Sequence, residues 1–437
     1  MANRLLIACG LVLAACYLVH LAGPLRVVDD GPVYLCGAVD IASGSGYREL
    51  RLPRGYPQAL AMLDSIGLNS AAGVVGLNLI CIGMGLAFIY SVIRSEIGLS
   101  NRACVTVVLL TCCSWLWIYL APVTMSDMVF FCLSSACLAA LSQARMRPAS
   151  ALIFTIAAFV LSVAASTVRT IGVALIAAVA FCFLQHVARR TGRMRMLAAL
   201  IAGFATTGVT SLFIWQAAIA PDYLESLLSN HPSYGPSEIA MLRIGEVGEI
   251  FQNFSARALI PTANVLPIET VSFHELATRE LQSLRYVFGL AAIGIILAGA
   301  IHRRVFSFIE AYLACYVGIL LVWPFNDPRF FAPVLPLLLA YGWIGLQSLS
   351  GRLAVKRAAV CYCAVFCLFG AVAMGHSIYQ STFDRARTNF VCRQWMQHHA
   401  DWYAAYRRFG GDRDAAQESD ARQSQAAPSN KSTRRSG

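Results

Sequence analysis

The chain has 437 residues, 58% of them hydrophobic and only 13% charged, with a mean hydropathy of +0.62. Soluble domains carry about 25% charged residues, so a string of soluble domains is excluded. A disordered chain, a disulfide scaffold and a nucleic-acid binder are excluded with it. The apolar residues fall in runs of roughly 17–25, the length a helix needs to cross about 30 Å of hydrocarbon. The sequence therefore describes an all-α polytopic membrane protein. In a soluble protein the net charge of +11 would point to a polyanionic partner; here its origin is topological.

In chain order the runs predict spans near 5–23, 69–93, 103–121, 128–142, 149–165, 171–187, 196–216, 284–301, 306–325, 330–349 and 358–378. With the N-terminus in the cytoplasm, Arg4, Arg94, Arg102, Arg145, Arg147, Arg189, Arg190, Arg303, Arg304, Arg352, Lys356 and Arg357 all face that side. The opposite loops collect Asp29, Asp30, Asp40, Asp127, Asp222, Glu238, Glu249 and Asp327. Arginine and lysine on the cytoplasmic side set the orientation. An odd count, about 11 spans, puts the C-terminus outside.

The cytoplasmic links are too short to hold a domain, whereas two outer loops are long, at residues 24–68 and 217–283. The expected organisation is a transmembrane core over 1–378 and a polar tail over 379–437, disordered from about residue 410. The first span lacks a small-residue cleavage signature and reads as a retained helix. In the first outer loop Asp30-Gly31-Pro32 is a helix start, with Gly44-Ser45-Gly46 as its stop. This short amphipathic helix is expected to lie along the membrane surface, holding Asp29 and Asp30 where lipid meets water. Most cysteines fall within spans; Cys36 and Cys392 lie in outer segments, where they could pair or remain free thiols. Trp115, Trp117 and Tyr119 near a span end read as an interfacial aromatic belt.

Ionisable groups at membrane depth are functional candidates because burying them is costly. All such places lie on the outer side: Asp29-Asp30, Leu52-Pro53-Arg54-Gly55-Tyr56-Pro57, Ser126-Asp127, and Arg169 with Asn326-Asp327-Pro328-Arg329. A carboxylate can take the proton of an attacking hydroxyl. Guanidinium groups can hold a phosphate bidentately and stabilise it as a leaving group. The set suggests transfer of a group from a lipid-linked phosphate to a hydroxyl or amine outside the cytoplasm. Structural alternatives stand beside it. Asp30 and Asp127 can be plain N-caps, and Asp29 a cap, a metal ligand or a solvated charge. Arg54 can meet lipid headgroups; Arg169 can pair with Asp127, and Arg329 with Asp327 or Glu310.

The order of these segments resembles the GT-C type glycosyltransferases, the polyprenyl-phosphate-sugar-dependent enzymes that include protein O-mannosyltransferases and the aminoarabinose transferase of lipid A. Asp30, with Tyr34 four positions on, matches the aspartate that opens their first outer loop; Gly31 stands where the family carries glutamate. Pro53-Arg54-Gly55-Tyr56-Pro57 is similar to the proline-rich end of that loop, and Ser126-Asp127 to the polar motif before span four. Arg169-Thr170-Ile171-Gly172 matches an arginine-x-x-glycine at span six. Asp327-Pro328-Arg329-Phe330-Phe331-Ala332-Pro333 resembles the late Arg-Tyr-x-x-Pro pattern. The likeness covers about residues 5–349.

The resemblance implies a GT-C-like helical bundle in the bacterial inner membrane with its active site on the periplasmic side. It also implies a polyprenyl-phosphate-linked sugar donor, a glycan, lipid or protein acceptor, and inversion at the sugar carbon. Asp30 would act as base with Asp29 in support, and Arg54, Arg169 and Arg329 would hold the donor phosphate. Tyr34, Tyr56, Asp127 and Asp327 would assist. A divalent cation is the only candidate cofactor. The competing readings are a transporter or flippase of a lipid-linked or anionic solute, and a polysaccharide polymerase or ligase.

Overall fold

The structure, a computed structural model, describes residues 2–46, 52–191, 290–322, 327–349, 353–382 and 399–410. The expected span at 196–216, the long outer loop 217–283 and Cys392 lie outside these residues. The described part is helical, with one isolated parallel bridge between Arg26 and Val123.

The helices in order are α1 (Ala2–Val19), α2 (Gly31–Ala42), α3 (Gly55–Ser65), α4 (Ala71–Val92), α5 (Asn101–Cys112), α6 (Trp115–Leu120), α7 (Asp127–Met146), α8 (Ala151–Val168) and α9 (Val173–Thr191). They continue with α10 (Leu290–Arg303), α11 (Phe308–Val322), α12 (Leu335–Leu349), α13 (Leu353–Thr382) and α14 (Ala400–Arg408). Among the described residues four helices are long and apolar enough to cross a membrane: Ala71–Ile97, Asp127–Met146, Pro148–Val168 and Arg357–Thr382. Seven shorter apolar helices accompany them.

Helix α8 shows why this is an integral membrane protein. Leu152, Ile153, Ile156, Phe159, Val160 and Val163 recur at helical spacing and are exposed, while Ala158, Ser162, Ala165 and Ser166 are buried. Large apolar groups outside and small or polar groups inside is the pattern of a helix solvated by lipid and packed through small residues. Helix α7 is the most enclosed of the four long helices. It packs between α4 and α8 and forms the axis of the bundle.

Two expectations need correction. The span at 103–121 is two helices, broken where Ser114 takes an extended conformation between α5 and α6. Trp117 is not an interfacial belt residue: it is fully buried, and its indole N–H donates to the Ala332 carbonyl at 3.1 Å. An aromatic run near a span end reads alike in sequence whether it meets lipid or a neighbouring turn. Structure continues into the polar tail ahead of residue 410. Helix α13 runs on to Thr382, and α14 packs on α2, burying Ala405, Tyr406 and Phe409. Arg408 anchors α14 by two bonds to Asp64 of α3, at 2.5 and 3.2 Å.

The end of the bundle that carries Arg145 and Arg303 is tied by a polar ladder. A π-helical turn, Ile93–Ile97, closes α4. Its Glu96 side chain accepts from Arg145 (2.9 Å) and Ser142 (3.0 Å) of α7, and its carbonyl accepts from Arg303 of α10 (2.6 Å). Arg303 also pairs with Glu310 of α11 and donates to the Tyr341 hydroxyl of α12 (2.8 Å). Glu310 is thus committed to Arg303, not to Arg329.

Candidate functional site

Four chain segments meet at the opposite end. Along α7, Asp127 and Arg145 are 18 residues apart, about 27 Å at 1.5 Å per residue, close to the hydrocarbon thickness.

The first segment is the turn Val27–Asp30 that leads into α2. Proline at the second helical position fixes the start of α2, and the Asp30 side chain makes no capping bond. Asp29 sits at φ +46°, a left-handed conformation that aspartate tolerates better than most residues but at some cost. At Gly31 a β-carbon would lie 2.9 Å from Val27 Cγ1 and 3.1 Å from the Thr124 carbonyl. This close approach accounts for glycine where the resembling enzymes carry glutamate.

The second segment is the belt Ala121–Asp127 between α6 and α7. Asn78 of α4, fully buried, donates its amide to the carbonyls of Ala121 (3.0 Å) and Val123 (2.8 Å). Thr124 N–H donates to the Arg26 carbonyl at 2.9 Å. Ser126 meets the Tyr34 hydroxyl at 3.2 Å. Asp127, almost wholly buried, is paired with Arg169. It is therefore not an N-cap; it is the first residue of α7 and spends its charge on another element.

Arg169 ends α8 in an extended conformation before the turn Thr170–Gly172. Arg329 lies on the 3-10 turn Pro328–Phe331, where Asp327 caps the turn by accepting from the Arg329 N–H at 2.9 Å. The turn is held from behind by Tyr316, whose hydroxyl donates to the Phe330 carbonyl at 2.5 Å. The ring of Phe330 lies against both guanidiniums, 5.0 Å from Arg169 and 5.4 Å from Arg329. This contact with both cations is favourable in a desolvated setting.

Arg329 gathers three carboxylates. Nη2 donates to Asp30 at 3.0 Å and Nη1 to Asp29 at 3.4 Å. Asp327 faces Nε at 2.8 Å, an ion pair without hydrogen-bond geometry. Burial works against the charge of Arg329, but Asp327, Asp30 and Asp29 outweigh it and hold its pKa above the ordinary arginine value. The guanidinium is 13% exposed, whereas Asp30 is 39% and Asp29 57% exposed, so the carboxylates form the outer lip and the cation the floor.

Tyr34 is buried, and burial raises its pKa before any neighbour acts. Its ring meets that of Tyr56 edge-on at 5.0 Å. The Tyr56 hydroxyl is enclosed and has no hydrogen-bond partner among the described residues. Arg54 is exposed at the start of α3. A β-carbon on the adjacent Gly55 would touch the backbone of Thr167 at 2.7 Å, which puts the Arg54 backbone beside the end of α8, on the rim. Asp29, Asp30, Asp327 and Arg329 thus converge, and Arg169 and Asp127 form a second, deeper pair next to them.

Asn78, Phe330 and Arg26 also shape the site. The one sequence signal for Arg26 is an arginine on the outer side, against the positive-inside bias. Among the described residues no group of three or more His, Cys, Asp or Glu side chains is arranged to hold a metal ion. Asp29, Asp30 and Asp327 are turned onto Arg329, and Asp127 onto Arg169.

No protein-family model matches the chain, and no curated protein matches it. Its fold does match a solved structure, that of ArnT from Cupriavidus metallidurans bound to undecaprenyl phosphate. The TM-score is 0.50 at 14% identity, over 91% of this chain and 81% of that one. The chain shares the fold of ArnT. The helical membrane core expected from the sequence is present in that shared fold. The apo structure of the same Cupriavidus protein aligns with a TM-score of 0.49 at 14% identity, over 91% of this chain and 80% of that one. The apo Archaeoglobus fulgidus oligosaccharyltransferase gives 0.45 at 12% identity, over 92% of this chain and 59% of that one.

Proposed function

We propose that this protein is a membrane glycosyltransferase that moves a sugar from a polyprenyl-phosphate donor to an acceptor on the periplasmic face of the bacterial inner membrane. The observation that supports this reading is the convergence of Asp30, Asp29 and Arg329, from opposite ends of the chain, on one lip beside the buried Arg169.

In the proposed reaction the acceptor hydroxyl attacks the anomeric carbon of the donor sugar. Its proton passes to Asp30 as the new C–O bond forms. The bond from carbon to phosphate oxygen breaks on the far side with inversion, and the electron pair leaves with the polyprenyl phosphate. Arg329 receives that charge. Its Nη1 has the longest of its carboxylate contacts, to the most exposed partner, so a phosphate would displace Asp29 there while Asp30 stays on Nη2. Arg169 adds a fixed positive charge from behind, and Arg54 on the rim meets the phosphate or its headgroup. Tyr34, Tyr56, Asp127 and Asp327 hold these groups in place, and the polyprenyl tail stays in lipid throughout.

The test compares cell-envelope glycans and lipid-linked sugars with and without the protein. Loss of one sugar from an envelope product together with accumulation of its polyprenyl-phosphate donor is expected. Unchanged glycans and donor pools would overturn the reading. Loss of whole chains would assign it to a polymerase or ligase.

A further inference from the structure

Arg26 lies three residues before Asp29, on the outer side, and is 8% exposed. An arginine there has neither a cytoplasmic nor an aqueous setting, so what it bonds to defines its role. Its Nη2 donates to the Ser377 carbonyl at 2.7 Å and to Ser381 Oγ at 2.6 Å; Nη1 reaches Ser377 Oγ at 3.2 Å and Gln380 Oε1 at 3.3 Å. These groups lie on the last described turns of α13 and supply four oxygen acceptors to the buried cation. His20, fully buried, shares the Ser381 hydroxyl at 2.8 Å.

The backbone of Arg26 works in the opposite direction. Its carbonyl accepts from Thr124 N–H at 2.9 Å, and Gly31 N–H closes the turn on the Val28 carbonyl at 2.8 Å. The turn that presents Asp29 and Asp30 therefore has two feet. One is Arg26, clamped to α13 by its side chain and to the Thr124 belt by its main chain. The other is Gly31, pressed on Thr124. Between them Asp29 holds its left-handed conformation, which persists only where the surroundings fix it.

We infer that Arg26 is a positioning residue: by clamping the last described turns of α13 it sets where the Asp29 and Asp30 carboxylates stand relative to Arg329. The anchor itself is independent of the proposed chemistry; its use in sugar transfer rests on that reading. Because Arg26 acts on the base and not on the phosphate, its loss separates turnover from donor affinity.

The experiment uses the full chain with Arg26→Met, Arg26→Lys and Ser381→Ala. It reads amide hydrogen exchange, affinity for undecaprenyl phosphate as the probe, and envelope glycan product in cells. For Arg26→Met, faster exchange confined to Gly31 and Thr124 is expected. Product should fall about 10–100-fold while undecaprenyl phosphate affinity stays within about twofold. Arg26→Lys should recover much of the product, and Ser381→Ala should show the same pattern more weakly. Full product from Arg26→Met, or product and affinity falling together, would overturn the inference. If Arg26→Met fails to accumulate in the membrane, Ser381→Ala decides by the same criteria. A wild-type protein that makes no glycan while the exchange pattern holds would sink the glycosyltransferase reading and leave the anchor standing.

Discussion

Arg329 and Asp30 are 299 residues apart in the chain and 3.0 Å apart in space. The loop before α2 and the late turn Pro328–Phe331 are thereby one structure; in the proposed reaction Asp30 and the donor phosphate would share the Arg329 guanidinium. Because Asp30 is 39% exposed, the pair adds little to stability, about 1 kcal/mol or less, so its substitution reads mainly on activity. For Asp30→Asn, product should fall about 10²–10⁴-fold, the range for loss of a general base, with unchanged accumulation in the membrane. Near-wild-type product would remove Asp30 from the mechanism.

Arg329→Lys tests the phosphate role. Lysine keeps the charge but lacks the planar fork that can bond Asp30 and a phosphate at once. Affinity for undecaprenyl phosphate should drop about tenfold or more, in line with loss of a charge-assisted bond. Titration in nanodiscs measures it, and equal affinity would refute the role.

The buried pair of Asp127 and Arg169 behaves differently. The side chains are 2% and 12% exposed, and stranding either charge should cost about 3 kcal/mol. Asp127→Asn alone should therefore lower the unfolding midpoint in detergent clearly. Asp127→Asn with Arg169→Met should recover most of that loss while remaining inactive.

The C-terminal helix α14 is pinned by Arg408 on Asp64, whose side chain is 6% exposed against 43% for Arg408. Arg408→Glu would oppose two negative charges there and free the helix. Trypsin should then cut at Arg407, in α14, faster than in the wild type, while cutting of the cytoplasmic links stays unchanged.

Cys36 in α2 supplies a pH test. Burial first, then Asp401 of α14 and Asp40, raise its thiol to about 12. A raised pKa keeps it protonated below that pH, and only the thiolate reacts. At pH 8.5 its alkylation, resolved by peptide mass spectrometry, should be at least about 100-fold slower than that of an ordinary thiol. It should keep rising about tenfold per pH unit beyond about pH 9.5, where an ordinary thiol has levelled off.

Much of the site is legible because it breaks a rule that sequence makes visible. Arg169 and Arg329 are arginines in segments where the positive-inside pattern predicts none, and Asp30 precedes a glycine and a proline in a loop that must begin a helix. The partners are not legible. Asp30 and Asp127 both occupy positions where a capping role is chemically reasonable, and only their pairing with distant arginines rejects it. Trp117 shows the same ambiguity between lipid and core. Arg26 obeys the outer-arginine rule as well as Arg329 does, yet lies outside every motif, and its meaning depends on a helix more than 350 residues later. Asn78 is one polar residue in an apolar run, and nothing local says it carries the Ala121–Asp127 belt.

The ladder through Glu96, Arg145, Arg303, Glu310 and Tyr341 stitches five helices together at the end remote from Asp30. The described helices are thus held by two ion pairs at the end remote from Asp30, and under the proposed function donor and acceptor would both reach Arg329 from the Asp30 side.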